Sequence, residues 1–370
     1  MTPYPAEAYP LPDLPEIYLY DKLPPAMMSA VCAQPGADRF KDPWARAGGM
    51  LLAEISRAHL GLELGLSMAV LGESLVETPL RLVASLAGPH GLSFLVLVIA
   101  LLGRKAPWLF ALPLASLAAP LPKPEGSSLA VLVQAGTPVE VKLQGIDLGS
   151  TYRLLTGQPS GLVVWSETST ASPPSYPSWI GGVETGGSSR AVWVEKGSPQ
   201  AWRDKALLTP FAEGLPYIEA LGGFYRLLGL QQERLKGELR PLGPYGVLVC
   251  SEGISPLLAR RLALEGAKVL VLLSNDGWFD GTPFKEYRLA QDRLRAVETG
   301  RWLLRAAETG PTVLVDPLGT VRARFLGERG SLTVRYGFRE GLIPYARLND
   351  LPVLFAALLL LGSPLLSRRR

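Results

Sequence analysis

The sequence predicts an α/β domain held between apolar segments, and three observations carry that prediction. Between residues 127 and 345, short β-type runs alternate with helical stretches. Residues 84–102 (ASLAGPHGLSFLVLVIALL) contain no Asp, Glu, Lys or Arg. A further apolar run, residues 351–366, stands just ahead of Arg368-Arg369-Arg370.

Bulk chemistry narrows the function classes. Hydrophobic residues make up 48% of the 370, with the excess gathered in those apolar runs. The net charge of +4 comes from 37 bases and 33 acids that are scattered along the chain. No basic stripe is interleaved with aromatics, which argues against a nucleic-acid partner. The two cysteines, Cys32 and Cys250, lie in segments of different character, so neither a disulfide framework nor a thiolate zinc site is expected. No metal or organic cofactor is suggested. The two histidines, His59 and His90, both precede the polar middle of the chain. A catalytic cysteine in that middle must therefore be activated without imidazole.

Taken in order, residues 1–83 receive no assigned element. Nine prolines fall in the first 50 residues, and Glu54, Arg57, Glu63, Glu73 and Glu77 interrupt the stretch from Met50 to Val83. Residues 84–121 are expected to hold two membrane segments: 84–102, at about 1.5 Å per residue roughly 28 Å long, and the shorter, proline-bearing 106–121. Taken alone, each run also fits a buried core helix, the less favoured reading. Placing Arg104-Lys105 and the terminal arginines in the cytoplasm satisfies the positive-inside rule twice and forces residues 122–350 to the opposite side. Residues 351–370 then form a last membrane helix with a basic cytoplasmic tail.

Within the middle domain, 128–134 (SLAVLVQ), 161–165 (GLVVW), 247–250 (VLVC) and 268–274 (KVLVLLS) read as strands. Residues 255–266 suit a helix with Ser255 as cap, Pro256 at its first position and Gly266 at its end. A longer helix is expected over about 284–307, then a hairpin over 312–325 turning at Pro317-Leu318-Gly319. Three positions could carry chemistry. Glu167 follows a strand, Cys250 ends one immediately before a turn and a helix, and Lys205 lies in a loop. Carboxyl ends of strands are where sites form in α/β sheets. A cysteine at a strand-to-helix elbow has backbone N–H groups nearby for a developing oxyanion, and its sulfur needs a base or a cation beside it. Each residue alone also fits an inert role: a core cysteine, a surface acid, a surface base.

Together, VVWSET around Glu167, DKALLTPFAE around Lys205 and VLVCSEG around Cys250 resemble the Glu-Lys-Cys triad of the nitrilase (carbon–nitrogen hydrolase) superfamily. Residues 272–282 (LLSNDGWFDGT) and 295–319 (RAVETGRWLLRAAETGPTVLVDPLG) sharpen the resemblance to its apolipoprotein N-acyltransferase family. That resemblance implies an α-β-β-α sandwich, extracytoplasmic and flanked by transmembrane helices, in a multi-pass protein of the inner (plasma) membrane. It implies Cys250 as nucleophile, Glu167 as general base and Lys205 as oxyanion-stabilising cation, with Glu213 and Glu252 as supporting acids. The implied reaction moves a fatty acyl group from a membrane phospholipid, through a cysteine thioester, to the N-terminal amine of a diacylated lipoprotein. The apolar stretch 214–230 (GLPYIEALGGFYRLLGL) would suit a lid dipping into lipid, or an ordinary packed helix.

This sequence departs from that family in three places. Residues 1–75 look unlike its membrane bundle, as a truncated or aberrant N-terminal region would. Ser251 stands where tyrosine is usual, and Leu143 lies near an expected tryptophan. Two competing readings are a membrane-tethered amidase or nitrilase, in which water resolves the acyl-enzyme, and an inactive membrane protein.

Overall fold

The computed structural model describes residues 42–102, 106–111, 124–142, 144–185, 188–232 and 236–362. Two sheets form the centre. Strands β1 (Ser128–Gln134), β2 (Leu162–Val164), β3 (Ser178–Thr185), β4 (Ser188–Glu195), β5 (Ser198–Asp204) and β11 (Gly330–Tyr336) make one of them, in the order β11-β1-β2-β3-β4-β5. Strands β6 (Tyr245–Val249), β7 (Val269–Ser274), β8 (Leu303–Ala307), β9 (Val313–Val315) and β10 (Val321–Arg324) make the other, in the order β10-β9-β8-β7-β6.

The period-2 alternation of a strand explains how the sheets are used. In β1, Ala130 and Leu132 face the second sheet, while Val131 and Val133 pack with Tyr152 of helix Gly149–Thr156. In β7, Val269, Val271 and Leu273 face the first sheet. Its Leu270 and Leu272 meet Ala259 and Leu262 of helix Pro256–Leu264 and Leu289 and Ala296 of helix Phe284–Thr299. Both faces of these strands are buried, which is why they read as unbroken apolar runs. The layers are helix, sheet, sheet, helix, as expected.

Two expected elements change. The helix predicted to reach 307 stops at Thr299, where Gly300 turns left-handed at φ 65°. LLRAA (303–307) is instead β8, because its pairing between β7 and β9 within the second sheet outweighs its helical propensity. Ser255 does occupy the cap position of helix Pro256–Leu264, but its hydroxyl makes no capping bond.

The described residues ahead of the domain, from Asp42, form helical elements where the sequence reading assigns none. Asp42 caps helix Pro43–Leu60 by accepting from the N–H groups of Trp44 and Ala45 at 3.0 and 2.8 Å. The charges that obscured this helix bond to backbone groups within the protein, although Glu54 Oε1 and Arg57 Nε are buried without a partner. Glu54 accepts from the Leu71 N–H at 2.8 Å, and Arg57 donates to the carbonyls of Leu66 and Ala69. Helix Ala84–Leu102 is interrupted at Gly88, whose φ of 68° leaves the helical region. A side chain there would collide with the Tyr345 ring, its Cβ only 2.2 Å away. Beyond the break, Leu92 packs with Leu294 and Val297 of the domain, and Phe94 and Leu97 meet helix Pro43–Leu60 and helix Leu351–Leu361. Among the described residues one helical stretch, Pro79–Leu102, is long and apolar enough to cross a membrane; helix Leu351–Leu361 is apolar but shorter. Leu143, Arg104-Lys105, residues 112–121 and the tail from 363 lie outside the described residues.

The two histidines converge from different helices on one carboxylate. His59 Nε2 and His90 Nδ1 each lie 2.8 Å from an oxygen of Asp350, which stands at the start of helix Leu351–Leu361. Burial pushes the Asp350 carboxyl up, but the bonds with both imidazoles outweigh it and hold it well below the usual carboxylate range.

Candidate active site

Cys250 follows the last residue of β6 and opens a short 3₁₀ turn, Cys250–Ile254. Its φ is 47°, a left-handed conformation rare for a residue with a side chain. Such strain persists only where the surroundings over-determine it. Here the surroundings are specific. The buried Glu252 carboxylate accepts from the N–H of Val249 at 2.8 Å and of Ala206 at 2.6 Å, and Arg203 Nη1 donates to it at 2.9 Å. The Ser251 hydroxyl donates to the Leu207 carbonyl at 2.7 Å. The turn carrying the sulfur and the segment carrying Lys205 are thus stitched together from both sides. Glu252 lies wholly inside this scaffold.

Lys205 follows β5 directly, fully buried, with its ammonium between two carboxylates. Nζ lies 3.2 Å from Glu167 Oε1 and 2.7 Å from Glu213 Oε2. Burial pushes the lysine down, but Glu167, the Cys250 sulfur and Glu213 outweigh it and raise its pKa above the usual range, so it stays charged. Glu213 is also raised by burial, yet Lys205 and the Thr209 N–H, at 2.7 Å, leave its pKa lowered.

Glu167 lies just beyond β2 in a loop zipped onto β3. The Gly182 N–H donates to Ser166 O at 3.0 Å, and the Ser169 N–H donates to Gly182 O at 2.9 Å. Only glycine fits at 182, since a Cβ would sit 2.4 Å from the Thr168 nitrogen. The Ser189 hydroxyl donates to Glu167 Oε1 at 3.3 Å, and Lys142 Nζ donates to the Glu167 carbonyl at 2.6 Å. Lys142 in turn pairs with Glu308 at 3.3 Å, and Glu308 also accepts from the hydroxyls of Tyr152 and Ser166 at 2.5 and 2.9 Å.

Cys250 is partly exposed as a residue, though its thiol is buried. Burial and the Glu167 charge push its pKa up, Lys205 and Arg288 pull it down, and the balance stands at about 11. Near neutrality the sulfur is therefore protonated and needs a base as it attacks. The arrangement offers a nucleophile on a strained turn, a carboxylate beside a fixed ammonium, and a second acid bracing that ammonium. These are the parts of covalent acyl transfer.

Of the five residues singled out from sequence, Glu167, Lys205 and Glu213 meet directly, and Cys250 shares their electrostatic environment. Glu252 stands behind them as scaffold. Sequence reasoning missed Arg203, Ser189, the Lys142–Glu308 pair and Arg288, whose Nη2 donates to the Cys250 carbonyl at 2.8 Å. Arg288 sits on an amphipathic helix, where a basic residue ordinarily faces water, so no sequence signal marked it.

The family model described as carbon-nitrogen hydrolase matches residues 224–334. An apolipoprotein N-acyltransferase of Ralstonia nicotianae is 30% identical over 358 residues, covering 81% of this chain and 67% of the relative. One of Azotobacter vinelandii is 30% identical over 259 residues, covering 59% and 49%. This chain thus spans about half the length of the A. vinelandii relative. A solved amidase from Nesterenkonia sp. is 18% identical, with 64% of this chain and 98% of the amidase aligned at a TM-score of 0.41.

Proposed function

We propose, on the premise that this chain belongs to the apolipoprotein N-acyltransferase family, that it moves a fatty acyl group from a membrane phospholipid to the N-terminal amine of a diacylglyceryl-cysteine lipoprotein. The observation that carries this reading is the Lys205 ammonium, buried between Glu167 and Glu213 beside a cysteine on a left-handed turn.

In the first half-reaction Glu167 takes the Cys250 proton as the sulfur attacks the phospholipid ester carbonyl. Lys205, with backbone N–H groups at the start of the turn, stabilises the oxyanion of the tetrahedral intermediate. Collapse breaks the carbon–oxygen bond, Glu167 returns its proton to the departing alkoxide, and a lysophospholipid leaves a thioester on Cys250. In the second half, the lipoprotein amine attacks the thioester, Glu167 takes an amine proton and passes it to the leaving thiolate, and the amide is released. Glu213 keeps the lysine charged and in place, and Glu252 holds the sulfur and the ammonium in register.

Both substrates are lipids, so the reading includes a membrane. The apolar helices Ala84–Leu102 and Leu351–Leu361 would hold residues 122–350 against it, on the side away from Arg104-Lys105 and the terminal arginines. Helix Ile218–Leu227 and the residues after it expose Leu221, Phe224, Leu227, Leu228 and Leu230, an apolar group suited to lipid contact.

The test is to incubate the full chain, in lipid nanodiscs, with phospholipid and inspect it by mass spectrometry. An acyl adduct on the Cys250 peptide is expected, followed by transfer to a synthetic diacylated lipopeptide with a free amine. Release of free fatty acid without transfer would instead assign hydrolysis, and no adduct on folded protein would overturn the acyl chemistry.

A further inference from the structure

Behind the nucleophile lies a cation that the reaction scheme does not use. Arg288, on helix Phe284–Thr299, is 3% exposed. Its Nη2 donates to the carbonyl of Cys250 at 2.8 Å, while its Nε is buried and has no hydrogen-bond partner. A buried guanidinium is costly unless charge or hydrogen bonding compensates it. The acids facing it, Asp276 and Asp292, are both engaged by Arg305, at the shared Asp292 Oδ2 distance of 2.8 Å and through a short pair with Asp276. Arg305 itself adds a like charge, and the other titratable group acting on Arg288 is the cysteine.

We propose that Arg288 is a positioning residue for the nucleophile: it fixes the Cys250 carbonyl so that the residue keeps its left-handed backbone, and it sets a second positive charge beside the sulfur. The inference rests on the reading of Cys250 as nucleophile. Two features support it. A non-glycine residue at φ 47° must be held, and the neighbouring bonds of Glu252 and Ser251 hold the turn on the Lys205 side. Arg288 is the hydrogen bond from the helix on the other side. The charges acting on the sulfur are Glu167 and Glu213, which raise the thiol pKa, and Lys205 and Arg288, which lower it. Removing Arg288 leaves one cation against two carboxylates.

The experiment measures alkylation of Cys250 by iodoacetamide across pH, read on the Cys250 peptide by mass spectrometry so that Cys32 does not interfere. Full chain in nanodiscs is used, with Arg288→Met and Arg288→Lys. The expected result is a profile displaced to higher pH in Arg288→Met, with alkylation at pH 8 slowed about tenfold for each pKa unit gained. Arg288→Lys, which keeps the charge but not the planar donor, should lie between Met and the parent. A folded Arg288→Met chain with the parent profile overturns the proposal. Should Arg288→Met fail to fold, Arg288→Lys alone decides: a profile unchanged from the parent, with acyl transfer also unchanged, overturns it. Because alkylation needs no lipid substrate, failure here is separate from failure of the acyl-transfer reading.

Discussion

Two clusters in this molecule bury opposite charges against one another, one around Lys205 and one around Asp350. At the first, an ammonium is bracketed by Glu167 and Glu213, and the sulfur of Cys250 stands beside it. At the second, a carboxylate is bracketed by His59 and His90, which gathers helix Pro43–Leu60, helix Ala84–Leu102 and the start of helix Leu351–Leu361. The second also contains the only two histidines of the chain, the residue type most often sought in a catalytic centre. Yet it has no nucleophile, and its three members serve three helices rather than one crevice. Buried charge marks both places, so it does not by itself mark chemistry. What separates them is a nucleophilic atom on a strained turn.

That contrast can be broken by substitution. The largest effect is expected from Cys250→Ala, which should abolish the acyl adduct while the thermal melt stays near that of the parent. Lys205→Met comes next: loss of the proposed oxyanion cation should lower acylation roughly 100–1,000-fold. It should also move the alkylation profile of Cys250 to higher pH, since Lys205 pulls the thiol down. Glu167→Gln should lower acyl transfer roughly 100-fold or more through loss of the base. Its effect on alkylation has the opposite sign: removing a carboxylate that raises the thiol pKa should make Cys250 more reactive toward iodoacetamide at pH 8. If Lys205→Met and Glu167→Gln shift the profile in the same direction, the electrostatic account of the sulfur fails.

Asp350→Asn should act on stability instead, costing about 1–3 kcal/mol as buried hydrogen-bonding capacity is left unmatched, with the Cys250 alkylation profile unchanged. The acid side follows from its depressed pKa. Stability from the ionised Asp350 is complete above the ordinary aspartate value of about 3.9 and is lost as pH falls below it through the lower folded value. Acid melts of parent and Asn variant should therefore converge below that point. The smallest effect is expected for Ser251→Ala, which removes the bond to Leu207 O for about 1 kcal/mol and should reduce acylation only a few-fold. A change in alkylation on altering Asp350 would dissolve the distinction between the two clusters.

Much of the sandwich was legible because its central strands are buried on both faces and so wrote themselves as apolar runs, β1, β6 and β7 above all. β8 was hidden because LLRAA continues a helical pattern, and only Gly300 signals the stop. β3 carries Gly181 and Gly182 in its middle, which weakens any strand signal, although Gly182 is there to admit the Glu167 loop. The site was legible through motif resemblance more than through physics. Glu167 lies 38 residues from Lys205, and nothing in the local patterns says that it and Glu213 flank one lysine. Helix Pro43–Leu60 was missed because Glu54 and Arg57 look like surface charges until their backbone partners are seen.

Glu252 has one more consequence. A single carboxylate fastens the end of β5 through Arg203, the segment after Lys205 through the Ala206 N–H, and the entrance of the nucleophile turn through the Val249 N–H. The parts of the candidate site are thus assembled before any substrate arrives. On the proposed reading, an acyl donor diffusing in two dimensions would meet a finished receptor, and its binding energy need not go into arranging the residues that attack it.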